Sequence, residues 1–188
     1  MIVFLDETGF SQRPSIRRTW GPRGQTPVLK EYLNWKHLSG IGARGFRPGT
    51  PRSRLFLSLR PGTINGEAVI AFLRSLRRHV RGPVLLIWDG LPAHRSTIVR
   101  EYVAAQRHWL TVEQLPGYAP ELNPLEDLWA NLDACELAHF VPDDINQLAR
   151  QVRKGVRRVR RRPELPWAFL KHTRLVSRKS IPDLYETQ

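Results

Sequence analysis

Three carboxylates in unlike settings are the residues of this chain best placed to do chemistry. Asp6 follows the apolar run Ile2-Val3-Phe4-Leu5, Asp89 follows Val84-Leu85-Leu86-Ile87-Trp88, and Glu126 stands in Pro120-Glu121-Leu122-Asn123-Pro124-Leu125-Glu126. Short runs rich in β-branched and aromatic residues read as buried central strands, so an acid ending each of the first two is expected at the rim of one sheet. Like charges brought together in low dielectric force one carboxylate to take up a proton unless a cation lies between them. A divalent cation is the natural partner for such a pair.

Glu126 also has a purely structural reading. Asn123 fits an N-cap and Pro124 the first helical residue, which makes Glu126 the third position of a capping box, reaching back to the Asn123 backbone amide. Glu126 and Asp127 would then complement the helix dipole and do nothing else. The two strand acids and the sequence around each of the three shift the balance toward chemistry.

The elements that must position these acids follow from the pattern of the rest of the chain. The first fifty-odd residues alternate short apolar pieces with Pro and Gly, as in Trp20-Gly21-Pro22-Arg23-Gly24-Gln25-Thr26-Pro27, and suggest a strand meander. Residues 55–59 read as a strand. Asn65 caps a helix with Val69, Phe72, Leu73 and Leu76 on one face and Arg74, Arg77 and Arg78 off it. The strand 84–88, a helix marked by Ile98, Val99, Tyr102 and Val103, a strand at 110–115 and a helix carrying Leu122, Leu125, Leu128, Trp129 and Leu132 complete the series. Strands first and then alternating helix and strand predict an α/β layered sheet with helices on its faces. No internal repeat interrupts it.

Composition narrows the partner. The chain has 188 residues, 41% of them hydrophobic and 25% charged, which predicts one soluble domain with a sizeable core. Thirty Lys and Arg against seventeen Asp and Glu give a formal net charge of +13, mostly arginine. That excess favours a polyanionic partner, nucleic acid first, over a basic surface kept for solubility. The single Cys135 excludes an intramolecular disulfide and a cysteine zinc cluster. No stretch is long enough to span a membrane, and the opening run lacks a basic leader, so a cytoplasmic location and no membrane partner are expected.

Three blocks carry a resemblance. Phe4-Leu5-Asp6-Glu7-Thr8-Gly9-Phe10, Ile87-Trp88-Asp89-Gly90-Leu91-Pro92-Ala93-His94-Arg95-Ser96, and Leu115-Pro116-Gly117-Tyr118-Ala119-Pro120-Glu121-Leu122-Asn123-Pro124-Leu125-Glu126-Asp127-Leu128-Trp129 resemble the catalytic blocks of DDE transposases. The similarity is to the mariner superfamily, in particular its bacterial insertion sequence 630 family, and covers roughly residues 1–140. The third block is the most specific, and 36 residues separate Asp89 from Glu126, close to the short spacing of this group. The resemblance implies a ribonuclease H-like mixed sheet flanked by helices, with Asp6, Asp89 and Glu126 as a metal-binding catalytic triad. It further implies nicking at transposon ends and strand transfer into target DNA, with two Mg2+ ions per site, replaceable by Mn2+. Duplex DNA, a second copy of the chain as a homodimer, and a separately encoded helix-turn-helix part are the implied partners, in the nucleoid of a bacterial cell. The alternatives are an inactive basic DNA-binding remnant and another ribonuclease H-like nuclease.

The donor chemistry agrees without the name. Oxygen ligands suit hard cations, and two such ions can activate a water or 3′-hydroxyl and stabilise the leaving oxygen of an in-line phosphodiester displacement. Asp6 and Asp89 are expected to carry most of the binding, with Glu126 completing one site from a helix. Two departures from the family pattern stand out. Many relatives have Asp-Asn where this chain has Asp89-Gly90, which removes a side-chain amide near the site. Met1 lies five positions before Asp6, so the helix-turn-helix module that relatives carry ahead of the first catalytic strand is expected to be absent, leaving a catalytic-domain fragment.

His94 is a secondary candidate to assist a phosphate or metal, although a histidine at a loop-to-helix junction more often serves as a hydrogen-bonding residue. Glu7 should point away from Asp6, as a surface or hydrogen-bonding acid. Trp88 and Trp129 are expected to pack beside the site. Residues 141–188 read as a basic helical extension of the same domain. In it Ile145, Leu148, Val152, Val156 and Val159 recur at helical spacing for docking. Arg150, Arg153, Lys154, Arg157, Arg158 and Arg161, with Arg160 and Arg162, crowd the other faces and would meet DNA phosphates. Gly155 weakens an isolated helix there, and the tail from Trp167 is mixed and carries no pattern.

Overall fold

The middle strand of the sheet is the first element of the chain, and the fold is organised around it. In the computed structural model, which describes residues 1–30 and 36–176, β1 (Ile2–Ser11) is flanked by β2 (His37–Phe46) and β4 (Val84–Trp88). β3 (Ser53–Pro61) lies outside β2 and β5 (Leu110–Gln114) outside β4, giving the order β3-β2-β1-β4-β5. β1, β2 and β3 form an antiparallel meander, while β1, β4 and β5 run parallel. The parallel half requires crossovers, and α1 (Gly66–His79) and α2 (Thr97–Ala105) supply helices on that route.

Alternation along β1 divides the core in two. Val3 and Leu5 join Ile41 and Ala43 under α1 and α2, with Val69, Leu73, Leu76 and Val99. Phe4 and Phe10 face the other way, where α3 (Pro124–Leu132), α4 (Ile145–Arg160) and α5 (Glu164–His172) bring Leu125, Leu128, Leu148, Val152, Val156 and Trp167. Burial of apolar area on both faces holds the sheet between two helical layers.

The helices start where their capping residues place them. Asn65 accepts from the Ala68 amide at 3.0 Å and Asp144 from the Gln147 amide at 2.7 Å, each satisfying an orphan donor of the first turn. On α1 the arginines off the apolar face are not idle: Arg74 lies over the Tyr102 ring and Arg77 over Trp109, at 5.6 and 5.0 Å.

Several sequence expectations are corrected. Asp6 does not end its strand: β1 continues to Ser11, because past Phe4 it keeps β2 as a partner after β4 has run out. The Trp20–Pro27 stretch of the expected meander carries no strand, and Trp20 is fully exposed. Gly155 is a contact rather than a weakness. It is buried, and a Cβ there would lie 2.5 Å from Leu132 Cδ2 and 2.6 Å from Glu136 Oε2, so its bareness lets α4 approach the end of α3. Beyond Pro163, where no pattern was visible, α5 forms and buries Trp167 and Leu170, with Trp167 Nε1 donating to the Pro51 carbonyl at 3.0 Å. Residues 177–188 of the expected extension lie outside the described residues.

Candidate active site

Asp6 is brought level with Asp89 by strand register. Phe4 stands beside Ile87 in the parallel pair, so two residues further on the two acids meet where β4 ends. Asp6 is almost fully buried, and its Oδ2 accepts from Trp129 Nε1 at 2.8 Å. Trp129 reaches it across β2 where Gly42, the register partner of Asp6, has no side chain: a Cβ there would lie 2.5 Å from the indole. Trp129 also meets Phe10 edge to face, with centroids 6.0 Å apart.

Glu126 enters from the first turn of α3 and is exposed. Asn123 does cap this helix, its side chain accepting from Leu125 N at 3.2 Å. The reciprocal half of a capping box is not made, because the Asn123 amide donates to the Pro120 carbonyl at 2.9 Å, closing the 3-10 turn Pro120–Leu122. The Glu126 carboxylate is therefore left to the site. Asp127, one step round the helix, bonds His172 Nδ1 at 2.9 Å and faces α5.

The electrostatics are those of crowded carboxylates. Burial pushes Asp6 up to about 7, against the pull of the Trp129 hydrogen bond, and the charges of Glu126, Glu7 and Asp89 add to the rise. Glu126, exposed as a residue but with its carboxyl partly desolvated, is raised as well, by that desolvation first and then by Asp89 and Asp127. An all-oxygen donor set with this much unrelieved repulsion fits hard divalent cations and suits no soft metal.

The other face of the sheet anchors Asp89. His94 is buried, stacks on Trp88 with centroids 4.2 Å apart and planes 4° from parallel, and places Nδ1 3.0 Å from both the Asp89 carbonyl and Oδ1. Its Nε2 meets Glu7 Oε1 at 2.8 Å. Burial alone would lower the imidazole, but the Glu7 and Asp89 bonds and charges outweigh it and raise it, since both ring nitrogens face oxygen acceptors that favour the charged form. Glu7 is thus the hydrogen-bonding acid expected on the side opposite Asp6, and not a surface one. Ligand atoms of Glu7, Asp89 and His94 lie within 4.8 Å of one another, a second grouping that shares Asp89 with the triad. The space left by Gly90 is also used: a Cβ there would lie 2.5 Å from Gln114 Nε2, so a side-chain amide from the end of β5 stands against residue 90, which carries none of its own. Gln114 was missed in the sequence because nothing local to it marks proximity to residue 90.

On α4, Arg150, Arg153, Lys154, Arg157 and Arg161 are exposed and form one stripe opposite the buried face. Arg158 departs from that expectation. Its Nε and an NH2 grip the two oxygens of Glu136 at 2.6 and 2.9 Å, and the NH2 also reaches Asn131 Oδ1 at 2.6 Å, which ties α4 to the π turn Asp133–Leu137.

Carboxylates arranged in this way can hold hard divalent cations, and the DDE superfamily endonuclease family matches residues 1–148. The chain belongs to that family. Its fold is the ribonuclease H-like fold of the Mos1 mariner transposase. A Mos1 paired-end complex with Mg is similar at 19% identity and a TM-score of 0.67, over 92% of this chain and 53% of that one. A Mos1 paired-end complex with the left transposon end gives 18% and 0.58 over 92% and 55%, and the Mos1 catalytic domain alone gives 17% and 0.51 over 92% and 81%. The chain therefore spans about half the length of the full Mos1 chains it matches. No curated protein matches it.

Proposed function

We propose that this chain is the catalytic domain of a mariner-type DDE transposase in which Asp6, Asp89 and Glu126 hold a pair of divalent ions, Mg2+ or Mn2+. The observation that carries the reading is the convergence of three carboxylates from β1, the end of β4 and α3, with Asp6 and Glu126 both pushed toward protonation by desolvation and by neighbouring carboxylates that include Asp89. Mos1 paired-end complexes have been solved with Mg and with Mn, the ions this donor set suits. Bound there, such ions would supply an activated water or 3′-hydroxyl and a stabilised leaving oxygen for in-line attack on a phosphodiester.

The chain's own residues do the positioning. Trp129 fixes Asp6 from one face of the sheet, and His94 fixes Asp89 from the other, held in turn by Glu7. Glu126 stands at the solvent side, where a phosphate backbone arrives. The exposed α4 stripe, Arg150, Arg153, Lys154, Arg157 and Arg161, supplies charge for a duplex. In this reading the partners are transposon-end and target DNA, a second copy of the chain and a helix-turn-helix part, in a bacterial nucleoid. The 36-residue interval between Asp89 and Glu126 favours the insertion sequence 630 family. Among the described residues no helix is long and apolar enough to cross a membrane.

The test is nicking of supercoiled plasmid with Mg2+ or Mn2+ by the parent chain and by Asp89→Asn. Metal-dependent nicking by the parent and none by the variant is expected. Equal nicking by the two would remove the triad assignment, and a parent that binds duplex but never nicks would favour the inactive remnant.

A further inference from the structure

At the opposite end of the sheet from Asp89, where the parallel strands begin, the chain gathers arginines with no acid among them. Met1, the β2 to β3 turn, the exit of α1 and the end of α4 surround a cleft of about 960 Å³. Arg44, Arg47, Arg52, Arg78, Arg81 and Arg160 line it, and no Asp or Glu does among the described residues. Its frame is fixed: Arg54 donates to the His79 carbonyl at 2.6 Å, and Arg160 forks onto the Leu55 carbonyl at 3.2 and 2.8 Å.

The floor is the informative part. Arg44 sits inside β2 between Phe4 and Leu55, only 5% exposed, and its Nε has no hydrogen-bond partner. Burial and then the neighbouring Arg160 charge pull its guanidinium down to about 9, which still leaves it charged at neutral pH. A buried guanidinium with a free donor beside a second cation is a costly arrangement unless an anion completes it. Guanidinium donors in a fork match phosphate oxygens better than any other common anion except carboxylate.

We infer that this cleft is a second, non-catalytic phosphate-binding site, with Arg44 in its floor and Arg47, Arg52, Arg78 and Arg81 at its rim. The phosphate comes either from a DNA backbone or from a free polyphosphate, and the site is the same for both. Only the choice of DNA as a source rests on the proposed function; the site itself does not, and no residue of the triad lines it.

The test uses the whole chain in metal-free buffer, following the Arg Nε–H resonances by NMR, with the Arg44 signal identified by its loss in Arg44→Lys. Inorganic pyrophosphate is expected to shift the Arg44 signal saturably, and Arg52→Glu/Arg81→Glu to weaken that binding at least tenfold. The same charge change at Arg23 and Arg107, neither of which lines the cleft, should leave it within about twofold. A 20-base-pair duplex that displaces pyrophosphate identifies the DNA backbone as a source; a duplex that does not displace it leaves a free polyphosphate. An Arg44 signal unmoved by pyrophosphate and by duplex, or equal weakening by the control pair, overturns the site. Because plasmid nicking depends on Asp89 and not on this cleft, failure here leaves the endonuclease reading standing, and failure of nicking leaves this site standing.

Discussion

Trp129 Nε1 and Asp6 Oδ2 are joined by a buried hydrogen bond of 2.8 Å across 123 residues of sequence. The bond favours the ionised carboxylate, so it opposes what burial does to the same group. Trp129→Phe keeps most of the ring and removes the donor. We expect fold stability at pH 8 to fall by about 1–3 kcal/mol and Mg2+ affinity by roughly tenfold, since hydrogen bonds to charged groups are worth this much. Denaturant melts and calorimetric metal titration check the two effects. Unchanged metal affinity would mean that the indole only fills space.

Glu126 separates chemistry from capping. Since the Asn123 amide is already taken by Pro120, neither Glu126→Gln nor Glu126→Ala removes a cap, and both should melt within about 0.5 kcal/mol of the parent, as exposed positions do. Both should lose metal-dependent nicking, because an amide is a poor ligand for a hard cation. A glutamine variant that nicks normally would take Glu126 out of the site. Asp127 is no substitute, being occupied by His172.

The raised carboxyl of Asp6 fixes the sign of two pH effects. Below about pH 4 the group is protonated folded or unfolded and costs nothing. As pH rises toward 7 the unfolded chain ionises first, so metal-free stability falls across that window, by on the order of 4 kcal/mol at most for a shift from 3.8 to about 7. Asp6→Asn should flatten this slope in urea melts run from pH 4 to 8. In the same window, metal must displace the Asp6 proton, so Mg2+ affinity should strengthen with pH and each binding event should release protons into a weak buffer. Affinity that is flat from pH 5.5 to 8 would count against Asp6 as a ligand.

Gly42→Ala tests the seat of the indole. The new methyl would stand 2.5 and 2.7 Å from the Trp129 ring, which must move and take its hydrogen bond from Asp6. Overpacking of this kind costs about 1–3 kcal/mol, and here metal affinity should drop with it. A variant that is destabilised but binds metal as the parent does would separate the packing of Trp129 from its hydrogen bond.

Arg157 and Arg158 are neighbours with opposite tasks. Arg157→Ala should weaken duplex binding on all sequences and reduce the slope of log affinity against log salt by about 1, with little change in melting. Arg158→Ala strands Glu136, whose side chain is 7% exposed, and should cost about 1–3 kcal/mol of stability. If Arg158→Ala melts like the parent, the fork to Glu136 is ornamental.

Local patterns made much of this fold readable. Apolar runs marked β1, β3 and β4, Asn65 marked the start of α1, and the third block placed α3 and Glu126. β2 was harder, because Gly40, Gly42 and Gly45 remove the alternation that reveals a strand; they are there to admit Phe10, Trp129 and Met1. α5 was hidden for a related reason, its apolar residues answering to Phe46 and the second core instead of to a regular face. The acids themselves stood out by position, but their partners did not. Trp129 reaches Asp6, and Glu7 reaches Asp89 by way of His94, through long-range packing, and no spacing along the chain reports such a contact.

The bond between β1 and α3 also orders events in time. A ribosome extends the chain at about 5–20 residues per second, and domains fold as units once their sequence has emerged. Asp6 is made first, yet its last neighbours, Trp129 and Glu126, arrive more than a hundred residues later, and the α4 and α5 layer that presses α3 onto the sheet comes later still. Until then the chain has its two strand acids, Asp6 and Asp89, without the helix that brings Glu126 and Trp129 to them. A nascent chain that stops before α3 has neither Glu126 nor the basic stripe of α4, so the three carboxylates and the arginine surface are assembled together only at the end of synthesis.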